Sequence, residues 1–199
     1  MPRNRERWNR TSYTFLITLC AGASVFFLAD LMRRILQIAP NHDVAVTVPV
    51  RTTAYVAAGP DGADVPVTVT QGVIHVSGMP PITIASLLLG EIVRTGAAIA
   101  VIVLLGVFLL RMSRGVVFDR INSGLVIASG ITIIAAWMLG RLFTTMGVNG
   151  AFAALSDHRY DNGAFPIDAT GLFAGGAVLL IGTAFGIGAR LQRDTEGLV

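Results

Sequence analysis

Residues 97–110 read Ala97-Ala-Ile-Ala-Val-Ile-Val-Leu-Leu-Gly-Val-Phe-Leu-Leu110, an uninterrupted apolar run without a single charge. It extends upstream through Ile84–Val93, broken by Glu91 and Arg94. A bilayer core about 30 Å thick is crossed by roughly 20 helical residues, and with its upstream turns this run meets that length. Three more such runs follow the same logic: Tyr13 to Met32, Leu125 to Gly140 and Gly171 to Ala189. With flanking turns included, the predicted spans are about 12–34, 84–110, 123–146 and 169–190. Composition agrees: 53% of the 199 residues are hydrophobic and only 14% charged, with a mean hydropathy of +0.68. Soluble domains carry about 25% charged residues. A disordered chain is therefore excluded, and the composition argues for an integral membrane protein over a soluble globular domain. The expected fold class is an all-α membrane bundle of four transmembrane helices, with a small β-rich outer segment between helices 1 and 2.

Charge placement sets the orientation. All 15 basic residues are Arg, a usage expected of a GC-rich bacterium. They flank the apolar runs instead of forming one dense patch among aromatic residues, so direct nucleic-acid binding is not expected. With both termini inside, the inner segments hold nine Arg against four acidic residues, and the two outer loops two Arg against six Asp. That asymmetry follows the positive-inside rule. It places the chain in a bacterial cell membrane as a multi-pass protein with cytoplasmic termini. The Arg-rich start resembles a signal-peptide n-region, but the following run is long and lacks a good cleavage site, so retention is expected. The single Cys20 lies inside that run, preceded by Leu19 and not by the small residue of a lipobox. It excludes an intramolecular disulfide and reads as a small buried hydrophobe.

The outer segment 41–81 alternates in a β manner at Val44, Val46 and Val48, at Val65, Val67 and Val69, and through Val73, Ile74 and Val76. Gly59-Pro60-Asp61-Gly62 and Gln71-Gly72 read as turns. A small antiparallel sheet results, with a hairpin connection at Gly59–Asp64 and with Pro49 and Pro66 at edges or strand starts. About 40 residues carry little core of their own, so this sheet must rest on helix ends or on a partner. The second outer loop, 148–168, holds Asp157, His158, Asp161 and Asp168, in a spacing that matches neither an EF-hand nor a zinc site.

No His lies in the apolar runs, which removes the usual axial ligand of a buried haem. No charge sits near a run's midpoint, where transporters and pumps keep ionisable groups. P-loop, nucleophile-elbow and zincin motifs are absent from the sequence. Neither enzymatic activity nor a cofactor or metal is expected. The intramembrane charges instead form a level: Asp30, Arg33, Arg34, Glu91, Arg94 and Arg141 each fall roughly 25–30 Å or slightly more above the inner boundary at 1.5 Å per residue. They are expected to form outer-interface ion pairs and snorkelling Arg. Run four carries Gly171, Gly175, Gly182 and Gly186 on one stripe with Val178, a pattern for close helix packing within the chain or at a homo-oligomer or subunit seam. Gly124, Ala128, Thr132 and Ala135 offer a similar stripe on run three.

The inner loop, 111–122, reads Arg111-Met-Ser-Arg-Gly-Val-Val-Phe-Asp-Arg-Ile-Asn122, with a Gly115-x-x-Phe118-x-x-x-Asn122 core. Phe118 is expected at the inner interface, and Asn122 as a cap for span three. Arg111, Arg114 and Arg120 can attract anionic lipid or an acidic protein surface, so the loop is the candidate partner-docking site. Together with the C-terminal stretch Arg190-Leu-Gln-Arg-Asp-Thr-Glu-Gly-Leu-Val199, four spans and a β-rich first outer loop, this core resembles an uncharacterised bacterial membrane family, the domain of unknown function 2975 family. The chain differs from the commoner family pattern at Val117, where Pro is frequent, and at Ser123-Gly124, where a basic residue often follows Asn. The resemblance implies a membrane component paired with a small helix-turn-helix regulator. A regulatory or accessory membrane protein is thus the expected function. Its expected partners are the lipid bilayer and a protein in the membrane or cytoplasm, and the alternative is an accessory subunit of a larger respiratory or transport complex.

Overall fold

In the computed structural model, which describes residues 3–58, 64–117, 119–156 and 168–196, four helices enclose one hairpin in sequence order. They are α1 (Arg3–Ile38), β1 (Val44–Ala58), β2 (Asp64–Val76), α2 (Pro81–Ser113), α3 (Arg120–Ser156) and α4 (Thr170–Glu196). Each helix contains a stretch long and apolar enough to cross a membrane: Tyr13–Ile38, Pro81–Ser113, Arg120–Ser156 and Thr170–Gln192. The chain is built as a multi-pass membrane protein, with a small two-stranded sheet between its first two helices.

α2 has 33 residues and α3 has 37, which makes them about 50 and 55 Å long. Both exceed the roughly 40–45 Å of a whole bilayer with its headgroups, so each is longer than an upright span needs. α3 runs to Ser156, where the sequence reading places a loop from Val148 onwards. The reason is packing. Val148 and Ala151 are buried and Phe152 packs beside them, a helical spacing that serves the core shared with the hairpin. The remainder of that expected loop, 157–167, lies outside the described residues, as does the hairpin connection 59–63.

The chain divides at Met32/Arg33, Gly90/Glu91, Gly140/Arg141 and Ile167/Asp168 into two compact units. The first three breaks fall beside Asp30, Arg33, Arg34, Glu91, Arg94 and Arg141, the charges expected from the sequence at one level. The first unit comprises Met1–Met32, Glu91–Gly140 and Asp168–Val199. Its best-defined contact is the α3–α4 seam. A Cβ on Gly171 would stand 2.3 Å from Trp137, one on Gly175 2.5 Å from Ile134, and one on Gly182 2.7 Å from Ile127. Gly130 and Gly175 approach backbone to backbone, each leaving only 2.9 Å between the other's carbonyl oxygen and any added Cβ. The pairs run in opposite directions along the two helices, so the seam is antiparallel, and the Ser123 hydroxyl locks it by donating to Gly182 O at 2.8 Å. α3 contributes Ser123, Ile127, Gly130, Ile134 and Trp137 to it. The expected stripe at Gly124 and Ala135 is not the seam: nothing lies within 4 Å of a Cβ built on Gly124, and Ala135 is exposed. Large side chains of α3 fit the glycine notches of α4, which a search for matching small-residue stripes does not anticipate. Phe108 of α2 meets Phe185 of α4 edge to face at 5.3 Å.

The second unit comprises Arg33–Gly90 and Arg141–Ile167. Its core joins Ile38, Val44, Val46, Val48, Val76, Met79, Val148 and Ala151, with Ile84, Leu87, Leu88 and Phe152 packed against it. Val44, Val46, Val48 and Val76 face inward, while Val73 and His75 point out. β1 and β2 pair antiparallel from Val44↔Val76 to Ala58↔Asp64, with the register slipping between Pro49 and Thr53. The Gln71-Gly72 pair, expected as a turn, stays in strand opposite Pro49 and Val48, because the ladder continues on both sides of it and the irregularity falls on the β1 side. Asn41 closes the foot of the hairpin from a left-handed φ of 53°, a region Asn tolerates. Its side-chain amide donates to Met79 O at 3.0 Å and its Oδ1 accepts from Met79 N at 2.8 Å. Against α2, α3 again packs by glycine: a Cβ on Gly147 would stand 2.4 Å from Leu87, and one on Gly150 2.2 Å from the Thr83 hydroxyl.

Candidate functional site

The α2–α3 connection is built from its backbone outward. α2 ends at Ser113, and Gly115 takes φ 84°. Gly115 N donates to Met112 O at 2.9 Å and Val116 N to Arg111 O at 3.2 Å. This is the paired Schellman arrangement, which favours Gly at the left-handed position. The turn delivers the carbonyls of Val116 and Val117 to Asn122, whose Nδ2 donates to them at 2.6 and 3.2 Å. Asn122 Oδ1 accepts from Arg111 Nε at 2.7 Å, and the other end of the Arg111 guanidinium donates to the Asp119 carboxylate. Asp119 O in turn accepts from Ser123 N at 3.1 Å, closing the first turn of α3. A carboxylate at that helix start and a guanidinium in the last turn of α2 also suit the two helix dipoles.

Asn122 is fully buried. It was expected as a cap of α3; instead it lies inside the first turn, and its side chain turns back to brace the connection. Arg111 is half-buried and committed to Asn122 and Asp119. Arg114 and Arg120 are exposed, with the Arg114 guanidinium 6.0 Å from the centre of the Tyr13 ring, within cation–π range. Phe118 lies outside the described residues. The expected docking group thus separates into an internal brace, Arg111 with Asn122, and two outward cations, Arg114 and Arg120. The bracing role of Asp119 was not anticipated, and Asp119 enters the sequence reading only as a charge count.

At the charged level, Glu91 and Arg94 form an ion pair one turn apart on α2, as their spacing predicts. Asp30 and Arg33 each have a partner. Arg34 keeps its Nε buried without a hydrogen-bond partner among the described residues, as does Trp137 its indole N–H. Arg141 is half-buried. The four α4 glycines Gly171, Gly175, Gly182 and Gly186 all face α3; a Cβ on Gly186 would stand 3.1 Å from the Ser123 hydroxyl. The described residues contain no group of three or more potential metal-ligating side chains.

No known family model, no curated protein and no solved structure matches this chain.

Proposed function

We propose that this protein is a non-enzymatic, regulatory component of a bacterial inner membrane, with both termini and the α2–α3 connection in the cytoplasm. In this reading the connection docks a soluble protein partner. The observation that carries it is the division of labour within the connection. Arg111, Asn122 and Asp119 hold its shape through four side-chain hydrogen bonds, and Arg114 and Arg120 stay exposed. A short, braced turn with outward cations presents a fixed charge pattern to an acidic protein surface, whereas a mere tether needs no brace. The resemblance to the domain of unknown function 2975 family points to a helix-turn-helix regulator as that partner.

Purification in gentle detergent with identification of bound proteins tests this. The parent chain is expected to retain a soluble, acidic-faced partner, and Arg114→Gln with Arg120→Gln to lose it. Raised salt is expected to weaken the parent's recovery, because exposed charges are screened over about 8 Å at physiological ionic strength. Equal recovery by parent and variant would overturn the docking reading.

One observation favours the accessory-subunit alternative: none of the most apolar stretch of α1 is buried within the chain. A larger complex would cover that helix, and the same purification would then recover integral membrane proteins in fixed ratio. The glycine stripe of α4 no longer argues for this alternative, because α3 already fills it.

A further inference from the structure

Within the first unit, α1 and α2 leave a groove of about 280 Å³ between Leu16–Ser24 and Ile102–Leu110. It runs along nine residues of each helix, a rise of about 12 Å. Its lining includes the small residues Cys20, Ala21, Ser24 and Gly106, and a Cβ added to Gly106 would stand 3.2 Å from the Cys20 sulfur. Its walls include Ile17, Val103 and Val107, all substantially exposed. The Ser24 hydroxyl donates back to Cys20 O at 2.8 Å, so the groove presents an apolar lining. Both lining stretches fall within candidate membrane spans, Tyr13–Ile38 and Pro81–Ser113.

One end of this groove is charged. The α1 stripe through Ser24, Cys20 and Ile17 continues at helical spacing to Tyr13. The α2 stripe through Val103, Val107 and Leu110 continues to Arg114. These two end residues meet, with the guanidinium 6.0 Å from the ring centre. Arg114 is exposed and makes no ion pair among the described residues, while the nearby carboxylate, Asp119, is taken by Arg111. An apolar channel about 12 Å long, ending at an exposed cation beside an aromatic ring at the interface, has the chemistry of a phospholipid: chain in the groove, phosphate at the cation. We propose that the α1–α2 groove binds one acyl chain of an anionic phospholipid whose headgroup is held by Arg114. It shares Arg114 with the docking reading, and the two are told apart because the lipid site also needs the α1–α2 groove while docking also needs Arg120.

The test uses the full chain in mild detergent, with phosphatidylglycerol or phosphatidylcholine added and retained lipid counted by native mass spectrometry. The parent should retain one phosphatidylglycerol in preference to phosphatidylcholine. Arg114→Gln should weaken phosphatidylglycerol retention about fivefold, the effect of one Arg at a membrane surface, and remove the preference. Ala21→Leu fills the groove and should reduce retention of both lipids while leaving partner recovery as in the parent. Alkylation of Cys20, the single cysteine of the chain, supplies a readout that needs no variant: added phosphatidylglycerol should slow it, and inorganic phosphate should not. Three results would overturn the proposal: a parent that retains no lipid, an Arg114→Gln variant with unchanged preference, or a dimer seated through this groove in place of lipid.

Discussion

Asn122 uses its carbonyl oxygen and its amide nitrogen in hydrogen bonds inside a fully buried site. Removing it strands the Arg111 Nε–H and the carbonyls of Val116 and Val117, and a buried group left unpaired costs about 1–3 kcal/mol. Asn122→Ala should therefore lower the thermal midpoint in detergent well below the parent's. Asn122→Asp should not restore it: a carboxylate still accepts from Arg111 but offers no proton to the two carbonyls. Gly115→Ala should cost about 1–2 kcal/mol, the penalty of a left-handed φ for an L-residue. The sequence marks both positions within one motif but gives neither the left-handed turn at Gly115 nor the role of Asn122. Its partners are backbone carbonyls that only the finished turn brings to it, and its place in the first turn of α3 makes a cap the natural local expectation.

At the scale of elements, the seam of α3 and α4 is one-sided: notches on α4, large side chains on α3. Gly175→Ala places a methyl 2.5 Å from Ile134 and 2.9 Å from Gly130 O, an overpacking worth about 1–3 kcal/mol. Gly182→Leu should be worse, since the helix cannot retreat from Ile127 without breaking the Ser123 to Gly182 hydrogen bond. Gly124→Ala is the contrast. It meets nothing within 4 Å and should leave the thermal midpoint unchanged or raise it, because Ala is the better helix former. Equal effects at Gly124 and Gly175 would show that the seam lies elsewhere. The i,i+4 spacing of the α4 glycines makes that half of the seam readable from sequence. Gly147 and Gly150 escape the same reading because their three-residue spacing sits in a stretch whose Asn and Gly content signals a loop. Only the core that Val148 and Ala151 help build shows why the helix continues.

For the whole molecule, apolar run length fixes the number of spans, and the alternating valines fix the existence of the hairpin. Both depend on periodicities that a chain displays locally. The helix ends are less legible. α2 and α3 run on into the second unit, where the residues at their contact are small or polar, among them Thr83 and Gly150. The proposed orientation rests on the charge asymmetry of the loops, and under that proposal the hairpin and the α2–α3 connection would lie on opposite faces of the membrane. Single cysteines introduced at Ala45 and Ser113, both exposed, in a Cys20→Ser background report this directly when a membrane-impermeant maleimide is applied to spheroplasts. The account predicts labelling of Ala45→Cys in intact spheroplasts and of Ser113→Cys only after lysis. Labelling of both positions before lysis, or of Ser113→Cys alone, would contradict it.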